Sequence, residues 1–356
     1  SARGVVVQAL SNENVTHIAI AAGGGVVGVA GGVAVTLIDS DTRAWIDNNA
    51  VVNGHNNPLT TSSAQGVTVR AGNRVDTFSF AGGLAGGLVG IAGAVDVGSI
   101  KNDTAAFIRS GAQVNARNSV VVGAHHLDEN DGFTISAAGG FVGGAAAVSV
   151  WSLGTPLSAN YQNSQGQNGS AFSGNGGNPQ NQAADQGGAR TSDVGNTVGG
   201  FSQGNVNDGR TSANERMAGI GKSAQTTLSN RGPSGTSLRN LIASNAVPSG
   251  TQAYIENGAI VTADGNIVVE AKDVTDASFL VGGGGGGFVG IGAAIGVLNI
   301  ANNARASAGG TLRAGGQIRV NGELVEEVGQ TSFAFGGGFV GLGASVSVIT
   351  DKSTNH

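Results

Sequence analysis

The sequence predicts an all-β fold: a glycine-rich parallel β-solenoid (β-helix) of about five ~53-residue repeats, with one long, partly helical or irregular insertion. Three observations predict it. The first is composition. Gly supplies 64 of 356 residues, aromatics 4% and charged residues 12%, against about 7% Gly and about 25% charged residues in an ordinary globular chain. The apolar content is mostly Ala, Val and Ile, so a core must be thin, with backbones close together. A helical bundle is disfavoured, because each Gly costs about 1 kcal/mol relative to Ala in a helix. The second is repetition: Val26-Val27-Gly28, Leu88-Val89-Gly90, Phe141-Val142-Gly143, Phe288-Val289-Gly290 and Phe339-Val340-Gly341 share one aligned core, and their glycines are 62, 53, 147 and 51 residues apart. The third is period-two alternation of apolar residues on both sides of each core, the signature of a strand.

The elements follow in order. Before each core runs an alternating stretch: His17-Ile18-Ala19-Ile20, Phe78-Ser79-Phe80, Phe133-Thr134-Ile135, Phe279-Leu280-Val281 and Phe333-Ala334-Phe335. After each comes another: Val33-Ala34-Val35, Val95-Asp96-Val97, Val148-Ser149-Val150, Ile295-Gly296-Val297 and Val346-Ser347-Val348. Polar turns are expected at Asp39 to Thr42 and Lys101 to Thr104. The next strands are Arg43-Ala44-Trp45-Ile46, Ala105-Ala106-Phe107-Ile108 and Gln252-Ala253-Tyr254-Ile255. The unit closes on strand, turn, strand, as in 111–124, 258–271 and 310–320. Four to six short strands per unit predict about two coils each. At ~4.8 Å per coil, five units make a rod on the order of 50 Å long. Most Phe residues fall at repeated positions and are expected in the core, while Thr42, Thr104 and Thr251 are expected to stack as a ladder. The core glycines Gly28, Gly90, Gly143, Gly290 and Gly341 are candidate close-packing positions.

Residues 1–154 and 251–356 carry the repeats, and 155–250 interrupt them as a Gly/Asn/Gln-rich insertion. From 160 to 207 the insertion has few bulky apolar residues and cannot bury much surface. Ser212 to Ile220 and Leu238 to Ala243 have helical spacing. Loops on rigid scaffolds are where binding resides, so Tyr161, Phe172, Phe201, Arg216 and Arg239 are the candidate binding residues. The opening Ser1-Ala2-Arg3-Gly4 has no signal-peptide pattern, and Asp351 to His356 stop partway through a repeat. Both ends read as those of a fragment.

The pattern Gly-Ala-x-Val/Ile-x-Ala-x-Gly/Asn-x-Ile/Val-x-Val, in 111–122 and 258–269, resembles filamentous-haemagglutinin-type β-helices. The longer unit Ala-Gly-Gly-Gly-x-Val-Gly-x-Ala, at 22–30, followed by Asn/Asp-x-Thr-x-Ala-x-Ile, looks like the repeats of very large filamentous adhesins and leukotoxin-type exoproteins. The resemblance implies secretion by a two-partner or autotransporter route, with an outer-membrane secretion partner, and display on a Gram-negative cell surface.

Chemistry is sparse. A net charge of -5 with no basic block argues against nucleic acid. The absence of cysteine excludes disulfide staples and thiolate metal sites. His17, His55, His125, His126 and His356 show no zinc spacing. His125-His126 with Asp128 and Glu129 is the densest ligand-like cluster, and it reads as a solvated turn because adjacent strand residues point to opposite faces. Asp39, Asp41 and Asp47 with Asn48 and Asn49 raise calcium, but no calcium-loop motif is present and turn chemistry accounts for them. No cofactor is expected. No carboxylate constellation stands out for a polysaccharide-active enzyme, and Glu323, Glu326 and Glu327 read as an exposed turn. Ile18 to Ile38 is an uncharged run of 21 residues, but its Gly density and period-two ends argue against a transmembrane helix. The expected function is therefore non-enzymatic: a structural rod segment of a secreted or surface-displayed adhesin for cell attachment, biofilm or host adhesion. It would bind a surface receptor or polysaccharide, or itself. The alternatives are a self-assembling filament, sheath or matrix subunit, a polysaccharide-active β-helix enzyme, and a membrane-active toxin segment.

Overall fold

The computed structural model describes residues 4–54, 62–155, 160–162, 168–170 and 250–356. Among them the chain is all-β, with a largely parallel, nearly closed sheet and no helix; no helix is long and apolar enough to cross a membrane. The expected helical segments at 212–220 and 238–243 lie outside the described residues.

Strand β1 (Gly4–Ile46) is followed by β2 (Val51–Val52), and β3 (Gly66–Ile108) by β4 (Gln113–Ala116). The next circuit is split into β5 (Val120–Gly139) and β6 (Val142–Leu153). An antiparallel pair, β7 (Asn160–Gln162) and β8 (Asn168–Ser170), precedes β9 (Thr251–Ile255) and β10 (Ile260–Ala263). Then come β11 (Ile267–Gly286), β12 (Val289–Ile300), β13 (Asn303–Ala308) and β14 (Thr311–Ala314). β15 (Ile318–Gly337), β16 (Val340–Asp351) and β17 (Thr354–Asn355) finish the chain. The main sheet runs β15-β11-β5-β3-β6-β12-β16, with β1 on β3, and a smaller sheet runs β14-β10-β4-β2. β3 pairs with both β5 and β6 because it runs out along one face and back along the other.

Register corrects the expected coil count. Gly28 pairs with Gly90, Gly90 with Gly143, Gly143 with Gly290 and Gly290 with Gly341. The sequence repeat is therefore the pairing offset itself, and each unit makes one circuit, not two. Four steps of ~4.8 Å separate the first circuit from the fifth by about 20 Å, while each 20-residue arm such as β5 has about 65 Å of contour. The described chain is broader than it is tall, and the expected 50 Å rod is not reached. The expected short strands merge into long arms because the stacked backbones stay paired through the polar stretches. Asp39 to Thr42 and Lys101 to Thr104 lie inside β1 and β3 rather than in turns.

The two arms of each circuit converge on an apical corner. Gly25, Gly87, Gly287 and Gly338 precede its apex with φ of 134, 156, 153 and 142°, a region that only Gly enters freely. Side-chain size tapers towards that corner. At the base, Val67, Val69, Val120, Val122, Ile267 and Val269 meet Ile108, Ile255, Val114 and Val261 in one cluster. Midway, Trp151, Phe279, Leu298 and Ile300 fill the space. Near the apex small residues prevail, with Ala30, Ala85, Ala92, Ala138 and Ala145 in one cluster beside a small one of Val289 and Ile291. Beyond them backbone faces backbone: a Cβ on Gly143 would sit 2.5 Å from the Gly286 carbonyl and 2.9 Å from that of Ala138.

Candidate functional site

The residues nominated within the insertion fall outside what can be described: Phe172, Phe201, Arg216 and Arg239 are outside the described residues, and so is the side chain of Tyr161. The five core glycines form one internal column, each facing the carbonyls of the opposite arm. Thr42, Thr104 and Thr251 are direct register partners.

Stacking assembles a surface groove that no single repeat displays. Its floor is Ala105, which sits in register between Arg43 and Gln252. Two long side chains flank a methyl group, and a dent of about 210 Å³ results. One wall is an aromatic ladder: Trp45 stacks on Phe107 at 5.9 Å and 8°, and Phe107 on Tyr254 at 4.8 Å and 1°. The Arg109 guanidinium lies 5.5 Å from the Phe107 ring centre, a cation–π contact. The other wall is Asp103 and Gly250. Asp103 accepts the Gly250 N–H at 2.8 Å and is 3.3 Å from Lys101 Nζ; burial pushes its carboxyl above the usual range against those two contacts. Arg43 pairs with Asp41 at 3.0 Å and Arg109 with Asp47 at 3.3 Å, while Arg43 Nε has no partner. Burial raises the Tyr254 phenol, Glu256 adds to this, and Arg109 and Arg43 oppose it. Gly250 directly precedes β9, so this wall leads into the strand that carries Gln252 and Tyr254.

The interior between the arms is polar in its middle third. Asp96 is fully buried and accepts from Ser79 Oγ at 2.7 Å and Trp151 Nε1 at 2.8 Å. Desolvation nevertheless pushes it up to about 6. Asn73, His126 and Asp273 follow one another in one column, and Asp128 and Thr275 are partners in the adjoining one. Burial pushes Asp128 and Asp273 up to about 7 and His126 down to about 4. Asp273 Oδ2 accepts from Thr251 Oγ1 at 2.8 Å, whereas Oδ1 of both aspartates and His126 Nδ1 have no partner.

Several expectations are corrected here. His125 and His126 lie within β5, not in a solvated turn, and His126 is buried. They do point to opposite faces, as the strand requires. Glu323, Glu326 and Glu327 lie within β15; Glu326 accepts from Asn302 at 2.9 Å and Ser353 at 2.7 Å. Register also builds the carboxylate array that the linear sequence hides: Asp76, Glu129, Asp276 and Glu327 are successive neighbours in one column. Burial and then Asp276, Asp76 and Glu129 raise the adjacent Asp131. Among the described residues no group of three or more His, Asp or Glu is placed to hold a metal. Phe residues are mostly not core: Phe141, Phe288 and Phe339 stand exposed on the apex, stacked at 5.0 and 5.1 Å. Among the described residues only Phe107 and Phe279 are buried.

The groove residues were present in the three aligned strands beginning at Arg43, Ala105 and Gln252. The signal was an aromatic at the third position of each, which register turns into a ladder. No family model, no curated protein and no solved structure matches the chain.

Proposed function

We propose that the chain is a structural segment of a secreted or surface-displayed bacterial adhesin of the filamentous-haemagglutinin-like kind, a β-solenoid of five one-circuit repeats with 155–250 inserted in the sequence of the third. The observation that carries this reading is the unbroken register of the equivalent glycines across all five circuits. Every arm is hydrogen-bonded to the next along its length, which makes a stiff, extendable scaffold that holds surface side chains in fixed columns. Columns of that kind suit display of a binding surface. The test is retention of cells on beads coated with the folded chain, against beads coated with heat-unfolded chain. Selective retention supports the adhesive reading; equal retention on both surfaces overturns it.

One observation favours self-assembly as a second reading. Val26, Leu88, Phe141, Phe288 and Phe339 are 75, 59, 46, 37 and 77% exposed along the apex, and together they form an apolar ridge. Concentration-dependent association in sedimentation velocity, lost on Phe141→Ser with Phe288→Ser, favours the filament or sheath subunit. A concentration-independent monomer removes it.

A further inference from the structure

We infer that the groove over Ala105 is a binding site for one acidic saccharide unit, a pyranose ring bearing a carboxylate. The inference gives the adhesive reading a ligand and rests on it for biological context, but its geometry belongs to the chain alone.

Size sets the first limit. A cavity of about 210 Å³ is below the ~300–1,000 Å³ of sites for drug-sized molecules, so it takes a single ring and not a peptide or nucleotide. Charge sets the second. Arg43 and Arg109 both line it against one carboxylate, Asp103, which is already held by Gly250 and Lys101. The lining itself thus presents two guanidinium groups against one carboxylate, each guanidinium paired with an aspartate outside the lining. The partners of the two arginines, Asp41 and Asp47, are 43 and 65% exposed. Exposed pairs of that kind are weak and exchange readily for a ligand carboxylate, which an arginine binds through two parallel N–H bonds.

The apolar wall sets the third limit. Trp45, Phe107 and Tyr254 stack nearly parallel, and the electropositive edges of such rings suit oxygen-rich ligands. A pyranose offers hydroxyls to those edges and to the Gln252 amide and Asp103 carboxylate at the far side. The methyl of Ala105 leaves the room for it. Of its two register neighbours one is Arg and the other Gln, so any longer side chain at this position closes the gap.

The chain supplies its own reporter. Of its two tryptophans, Trp45 is 44% exposed in the groove and Trp151 is 1% exposed in the core. Acrylamide quenching therefore reads Trp45. The experiment titrates the whole chain with glucuronate and galacturonate, with glucose as the neutral control. The expected result is saturable protection of Trp45 by a uronate, weakened by added salt and absent with glucose. Ala105→Gln is expected to weaken binding by at least about tenfold with the circular dichroism unchanged. Arg109→Gln, an exposed change, does the same if the first variant misfolds. Protection by glucose equal to that by the uronates overturns the assignment of an acidic ligand. No protection by any sugar, or full binding by both variants, overturns the site. Cell retention that survives with no protection of Trp45 leaves the adhesive reading standing and removes only this one.

Discussion

Asp273→Asn should stabilise the protein at alkaline pH and do almost nothing at acidic pH. Asp273 is buried to 1% exposure, and burial raises its carboxyl from 3.8 to about 7. The folded state therefore holds a proton that the unfolded state releases. Below pH 3.8 both states are protonated and the group contributes nothing. Between pH 3.8 and about 7 the folded state binds the extra proton, and stability falls by about 1.4 kcal/mol per pH unit. Above about pH 7 the penalty is complete, at about 4 kcal/mol for the full gap. Asparagine carries no charge, and its amide oxygen can still accept the Thr251 hydroxyl now bonded to Oδ2. Asp128, whose own rise Asp273 adds to, is relieved in the same step. Internal relaxation takes back part of the total, so the expected gain at pH 8 is about 2–4 kcal/mol, or roughly 3–7 °C in melting temperature for a chain of this length. His126 has the opposite sign: its pKa is lowered to about 4, so it costs stability as pH falls through the interval from 6.5 to about 4. That contribution is common to both proteins and cancels. The assay is urea or thermal unfolding of both proteins at pH 4 and pH 8. An Asn variant that gains equally at the two pH values, or loses at both, refutes the buried-carboxylate argument.

The remaining predictions concern packing. Gly143→Ala should cost about 1–3 kcal/mol or more in urea unfolding, because its Cβ meets only backbone, the Gly286 carbonyl at 2.5 Å first. Gly139→Ala, four residues earlier, has nothing within 4 Å of its Cβ; it should be neutral or gain about 0.4–1 kcal/mol by restricting the unfolded chain. Trp151→Ala should cost about 3–5 kcal/mol and also strip Asp96 of one of its two donors, so its midpoint should fall further at pH 8 than at pH 4. Phe107→Ala should cost about 3–5 kcal/mol, because its ring is buried between those of Trp45 and Tyr254, and should raise acrylamide access to Trp45.

Much of the strand pattern was legible because it is local. Alternation in Val95-Asp96-Val97 or Phe133-Thr134-Ile135 reports a pleat whatever lies beside it. The repeat glycines were legible too, since only a missing side chain lets carbonyls approach as closely as at Gly143. Coil count was not, because the same spacing fits one long circuit or two short ones, and only the pairing of Gly28 with Gly90 separates them. The polar stretches at Asp39 and Lys101 looked like turns because Asp, Asn and Thr favour turns. In the fold they are held extended by the neighbouring circuits, an override of local preference by cross-strand pairing. His126, Asp128 and Glu326 were misplaced for a related reason: polarity in sequence signals exposure, and burying such groups is a choice made by the facing arm.

By itself, then, the sequence determined an all-β chain with a thin, glycine-spaced core, since composition and period are properties of each segment alone. What only the tertiary structure decided was everything that depends on which residue lies about 4.8 Å above another: one circuit per repeat, the buried aspartates at 128 and 273, the acidic column on one face and the ladder of Trp45, Phe107 and Tyr254. A parallel stack turns separations of 62 or 147 residues into direct contact, and no local pattern carries that information.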